Sequence, residues 1–165
     1  MSVPKAVLDS KGSWFGSSKL NQSWLPPENR IAESASYLHV DTDEHHAFAT
    51  ITYTWHYKGK RHEGTILVCM DGKSKDVHLG WSDSWHQNTA VMHLVGTETT
   101  DGSVKTKGTY PAGKEVWGWT IEFKMVADQL TMKMEKKYPG GSSTSTTSVF
   151  VGEVNGKLVI AVPGK

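Results

Sequence analysis

One cysteine, Cys69, is all the chain has, so no intrachain disulfide can brace it. A reducing cytoplasm is the compartment expected. Charge of neither sign dominates: 18 Lys and Arg face 17 Asp and Glu, a formal net charge of +1. Without a basic field there is no electrostatic argument for a nucleic-acid partner. No apolar run is long enough to span a bilayer, so no membrane partner is expected. The opening MSVPKAVLDS lacks a charged segment followed by an apolar one and is not read as a signal peptide. Helical periodicity is missing too, since no apolar period of about 3.6 residues is sustained. Two catalytic signatures are absent: the Gly-x-Ser-x-Gly elbow of a nucleophilic serine and a glycine loop that cradles phosphate.

What is present is alternation of period two, interrupted by Gly, Asp, Asn and Pro. Strands are predicted near 12–21, 31–40, 47–57, 61–70, 76–85, 89–99, 103–110, 115–125, 129–137, 146–154 and 157–162. Lys58-Gly59, Asp71-Gly72, Asp101-Gly102, Ala127-Asp128 and Asn155-Gly156 sit between them, and Asp-Gly and Asn-Gly tolerate the positive φ of type I′ hairpin turns. Hairpins following one another in chain order predict an all-β, antiparallel up-and-down barrel of roughly ten strands. Residues 1–165 read as one domain, long enough to bury a hydrophobic core.

Turns set registers, and registers assign faces. A two-residue turn at Lys58-Gly59 places Trp55 opposite His62, Tyr53 opposite Gly64 and Ile51 opposite Ile66, with Thr54 against Glu63 on the other face. The same turn at Ala127-Asp128 pairs Phe123 with Met132 and Ile121 with Met134, leaving Glu122 beside Lys133 outside. At Asp101-Gly102 it pairs Glu98 with Lys105 outside and His93 with Tyr110 inside. Carried through Asp71-Gly72 on an even-length loop, the parity puts Trp81 and Asp83 on the face of His62 and Trp55. The predicted enclosed face holds Trp14, Tyr53, Trp55, His62, Trp81, Asp83, Trp85, His93, Tyr110, Trp117 and Trp119, while His78 and His86 fall outside. A purely structural barrel would fill its middle with Val, Leu and Ile; a concave aromatic space with a few polar groups is the make-up of a small-ligand pocket.

These residues resemble a known group. KGSWFGS (11–17) is similar to the Gly-x-Trp opening of calycin barrels, the lipocalin and fatty-acid-binding-protein group. The first strand, HEGTILVCMDGKSKDVHLGWSDSW (62–85) and GTETTDGSVKTKGTY (96–110) resemble the uncharacterised bacterial family called domain of unknown function 1579. The likeness runs to about Lys137 and fits the Ser/Thr-rich tract 142–148 and the last hairpin less well. It implies a calycin-like barrel and no activity. Nitrobindin barrels share the opening through Gly12, Trp14 and Gly16 and hold haem with a histidine near the carboxy terminus. No histidine follows His93 here, so that ligand does not carry over and no cofactor is expected.

The chemical candidates each keep two readings. Asp83, between Trp81 and Trp85, either accepts hydrogen bonds from a ligand or serves as a base, or else it ends the strand by bonding turn N–H groups near Gln87-Asn88. His62 and His93 are either ligand contacts or catalytic groups, or neutral imidazoles satisfied by Tyr110, Asp83 or water. DTDEHH (41–46) gathers metal-type ligands but reads as a solvated loop, and no histidine or cysteine has zinc-site spacing, so no metal is expected. The function expected is binding of a small, largely apolar or aromatic molecule inside the barrel. One alternative is a hydrolase or isomerase using a His–Asp pair in the same cavity. The other is a structural or homodimer-forming barrel whose outward apolar positions, such as Phe150, Val159 and Ala161, cover a partner.

Overall fold

The computed structural model describes residues 3–87, 90–140, 143–154 and 157–158. A short helix α1 (Lys5–Asp9) precedes β1 (Gly12–Asn21), β2 (Ile31–Thr42), β3 (Ala49–Tyr57), β4 (Lys60–Met70), β5 (Asp76–Asp83) and β6 (Met92–Glu98). Then follow β7 (Val104–Ala112), β8 (Glu115–Val126), β9 (Gln129–Lys137), β10 (Ser143–Val154) and the brief β11 (Lys157–Leu158). Each strand pairs antiparallel with the next, and β10 returns to β1, so Trp14 lies opposite both Leu38 and Gly152. Strands β1 to β10 thus close an up-and-down barrel, the architecture that alternation and turn chemistry predict, and closure leaves no open sheet edge in the ring. The predicted turn at Asn155-Gly156 and the positions Val159 and Ala161 lie outside the described residues, as does the Phe150 side chain.

Two of the hairpins have the predicted register. Lys58 and Gly59 both adopt positive φ, as a type I′ turn requires, and Trp55 faces His62 while Tyr53 faces Gly64. Across β8 and β9, Phe123 faces Met132 and Ile121 faces Met134. The loop after Met70 is even in length, Met70 facing Val77, and parity carries through: Trp81 and Asp83 point inward.

The third hairpin is a correction. Glu98 faces Val104 rather than Lys105, because the turn holds an odd number of residues. The Gly102 amide donates to the Thr99 carbonyl, Gly102 takes a positive φ, and the Asp101 carboxylate accepts from the Thr99 hydroxyl and the Ser103 amide. That is a type I turn followed by a glycine bulge, which Asp-Gly serves as readily as a type I′ turn. One extra residue reverses the parity of β6 relative to β7. His93 therefore faces outward and is exposed, while Met92 and Leu94 point in.

The middle of the barrel is also less unusual than the sequence suggests. Leu38, Ile51, Ile66, Leu94, Ile121 and Leu130 are sealed from solvent there. Below them Val3 and, from α1, Ala6 and Val7 are buried and close the end where β6 finishes, the Lys5 amide donating to Glu98. The indole of Trp14 donates to the Ser10 carbonyl at 2.7 Å, so Trp14 belongs to this closed end. The remaining inward tryptophans and tyrosines collect toward the opposite end, the mouth, while Phe123 stays near the closed end opposite Val104.

Candidate functional site

Asp83 ends β5 with both carboxylate oxygens in use and its side chain out of solvent. Oδ1 accepts the amides of Trp85 (2.8 Å) and His86 (3.0 Å), while the Gln87 amide donates to the Asp83 carbonyl. An aspartate that offers acceptors to the amides two and three residues on turns the chain instead of extending it. That is why the predicted strand 76–85 stops at Asp83. The other oxygen, Oδ2, accepts from the Tyr53 hydroxyl (2.7 Å) and the Trp55 indole (3.3 Å), and Trp81 in turn donates to Tyr53 Oη at 2.8 Å. The strand-ending reading of Asp83 holds for one oxygen, which caps the turn; the other joins the inward ring cluster.

The same turn overturns the placement of His86 outside. Its ring folds back under the mouth, Nδ1 donating to Asp83 Oδ1 at 3.2 Å with only a tenth of the side chain exposed. It packs against Trp55 (5.4 Å between centroids), Trp81 (5.8 Å) and Trp119 (5.1 Å), and Trp81 stacks on Trp119 at 4.8 Å. Parity fails for His86 because it lies past the strand end, where the turn decides direction. His62 sits beside Trp55 and reaches the Ser84 hydroxyl at 3.4 Å. A catalytic pair of Asp83 with His62 or His93 is thus not assembled; the imidazole on Asp83 is that of His86.

Electrostatics follow from this packing. Burial by itself would raise the Asp83 carboxyl, but the His86 hydrogen bond and charge, the Tyr53 hydroxyl and the His86 amide outweigh it and hold the pKa at about 2. Burial, with the Asp83 charge adding to it, pushes the Tyr53 phenol well above its ordinary value. Burial also depresses the His62 imidazole, partly offset by Asp83. Asp83 is therefore a fixed anion and hydrogen-bond acceptor at neutral pH, not a base poised to take a proton.

Gly64 is part of the same construction. A Cβ on Gly64 would lie 2.3 Å from Tyr53 Cζ and from its hydroxyl oxygen. The tyrosine ring lies across the bare glycine, which lets the hydroxyl reach Asp83. Gly64→Ala is expected to displace Tyr53 and lower stability by about 1–3 kcal/mol, the usual range for overpacking, as read by urea unfolding.

The space left inside this cluster is small. A cavity lined by Ser18, Tyr53, Trp55, Asp83, His86, Met132 and Met134 measures about 10 Å³, at the lower limit for a single water. Above it, at the mouth, an open cleft of about 460 Å³ runs between the 22–30 loop and the β3–β4 hairpin. Trp24, Trp85, Tyr57 and Leu25 form its apolar wall; Gln22, Asn29 and Lys58 supply polar groups. The Tyr57 hydroxyl donates to the buried Gln22 amide oxygen at 2.6 Å. Trp85 links the two linings, its ring meeting Trp55 and His86 of the inner cavity and Tyr57 of the cleft. A larger hollow of about 560 Å³ lies mostly on the outer faces of β3–β5, but Thr, Ser, Arg61 and Glu63 dominate its lining.

The structure brings together Tyr53, Trp55, His62, Trp81, Asp83, Trp85 and Trp119. Tyr110 and Trp117 form a second group with Tyr138, where Lys136 sits 4.7 Å over the Trp117 ring. Trp14 lies at the closed end and His93 outside. Sequence reasoning missed Trp24, Tyr57, Gln22 and His86. Tyr57 continues the inward alternation of Tyr53 and Trp55 and was legible on that ground. Trp24 is the lone tryptophan in a proline-bearing loop, a weaker signal. In the 41–46 loop, Asp43 accepts the amides of His45 and Phe48, and no group of three or more His, Cys, Asp or Glu among the described residues is arranged to hold a metal. No helix among the described residues is long and apolar enough to cross a membrane. Comparison of the sequence with protein-family models finds no match, and comparison with curated proteins finds none either.

Proposed function

We propose that the chain is a calycin-like barrel that binds a small, largely apolar or aromatic molecule, seated at the mouth above the Asp83–His86 cluster. One observation carries this reading. Trp24 is 59% exposed and Trp85 37% exposed, and both line the same cleft. Indoles left in water within one concavity are the surface that a flat apolar ligand would cover. Tyr57 adds a third ring, Gln22 a hydrogen-bonding amide, and Lys58 a cation for a ligand bearing an acidic group. The inner cavity beside Asp83 is too small for anything beyond a water, which favours the mouth over the deep interior as the seat.

Titration with anilinonaphthalene sulfonate, followed by dye emission and tryptophan quenching, tests the proposal. Saturable binding is expected, weakened roughly tenfold by Trp24→Ala and by Trp85→Phe, as for loss of an aromatic anchor. Dye affinity unchanged in both variants overturns the mouth as the site.

A further inference from the structure

The corrected register of β6 has a chemical consequence on the outside of the barrel. His78 of β5 and His93 of β6, fifteen residues apart in sequence, meet on the outer face with Nδ1 of His78 and Nε2 of His93 3.1 Å apart. Their ring planes differ by 6° with centroids 5.3 Å apart, an arrangement in which the two rings lie nearly in one plane and meet nitrogen to nitrogen. Gly80 lies directly opposite His93 and follows His78 on the same face, so no side chain stands between the rings.

We propose that His78 and His93 form a two-histidine site for a divalent transition-metal ion of the nickel, copper or zinc type. Two nitrogens bound at ~2.1 Å to one ion stand ~3.0 Å apart in cis octahedral and ~3.4 Å apart in tetrahedral geometry. The observed 3.1 Å falls between these values. In the free protein one ring donates an N–H to the lone pair of the other. On metal binding the donor ring carries its proton on its other nitrogen, and both rings, now facing along one line, pivot so that their lone pairs converge on a cation beside the N···N line. Water fills the remaining coordination positions, since these two rings are the only protein ligands assigned. Imidazole selects borderline cations over hard ones, so affinity is expected to follow copper over nickel over manganese, with magnesium unbound.

Cys69 lies directly across from His78 in register, and its thiol would confound the measurement. The test therefore uses tag-free Cys69→Ser protein, titrated with nickel chloride by calorimetry at neutral pH. One equivalent is expected to bind. His78→Ala and His93→Ala should each weaken it at least about tenfold, and the double variant no further than either single, because one ring alone cannot chelate. A variant with both His45→Ala and His46→Ala should bind as the parent does, and circular dichroism should show all variants folded. Absence of nickel binding to the parent, or undiminished affinity in either His78→Ala or His93→Ala, overturns the proposal.

Discussion

Asp83→Ala is expected to destabilise the barrel by about 3–5 kcal/mol, the range for breaking a buried charged network by removing one partner. The substitution leaves the Tyr53 hydroxyl, the Trp55 indole, the His86 imidazole and the amides of Trp85 and His86 without their acceptor. Asp83→Asn separates the two halves of the network. An amide oxygen can still cap the turn at Trp85 and His86, but the amide NH2 then confronts the Tyr53 hydroxyl. Tyr53 already accepts from Trp81, so its own proton loses its partner. A loss of about 2 kcal/mol is expected for Asn, smaller than for Ala, in urea unfolding. Equal losses in both would mean that the Oδ2 side, with Tyr53 and Trp55, accounts for the whole role of Asp83.

The same carboxylate makes stability depend on pH. Its folded-state pKa of about 2 lies below the ordinary 3.8, so the stabilisation is complete above about pH 4. It drains away as pH falls toward 2, a loss on the order of 2 kcal/mol. Unfolding midpoints measured between pH 6 and pH 2 should fall less steeply in Asp83→Asn than in the parent, because that variant has no carboxyl to protonate there.

Gly96→Ala is the second change with a large expected effect. A Cβ on Gly96 would stand 1.8 Å from the carbonyl oxygen of Lys105 and 2.6 Å from Thr106 Cα, both main-chain atoms of the neighbouring strand. A flexible side chain could move aside; a paired backbone cannot without parting the strands. The β6–β7 ladder runs only from Val95–Glu98 to Val104–Lys107, so it has few other bonds to hold it. The expected loss is about 3 kcal/mol or more, above the common overpacking range because backbone must yield. For a chain of this size that lowers the melting temperature by roughly 6–12 °C. Amide exchange should quicken in β6 and β7 first. Intact protection there, with loss elsewhere, would place the strain at another seam.

Much of the fold was legible in the chain because strand pairing is local. Lys58-Gly59 and Ala127-Asp128 sit between alternating runs, and a two-residue turn leaves a single register to each. Trp55 opposite His62 and Phe123 opposite Met132 follow from that arithmetic. The limit came at Asp101-Gly102, where one dipeptide suits two turns of different parity. Asp101 chose between them by accepting from Thr99 and Ser103, and that choice carried His93 to the outer face.

The candidate site was legible in outline only. Tyr53, Trp55, Trp81 and Asp83 share a face because period two requires it, and the sequence by itself determined that they would meet beneath one end of a barrel. Tertiary structure decided what they do there. His86 turns inward because Asp83 Oδ1 has room for its ring nitrogen after taking two amides, and because Trp55, Trp81 and Trp119 offer a slot of ring width. Trp24 and Trp85 share a cleft because the 22–30 loop and the β3–β4 hairpin cap neighbouring strand pairs at the same end of the barrel. Periodicity describes a residue relative to its own strand; it says nothing about side chains past the strand's end, or about loops that become neighbours only once the strands pair.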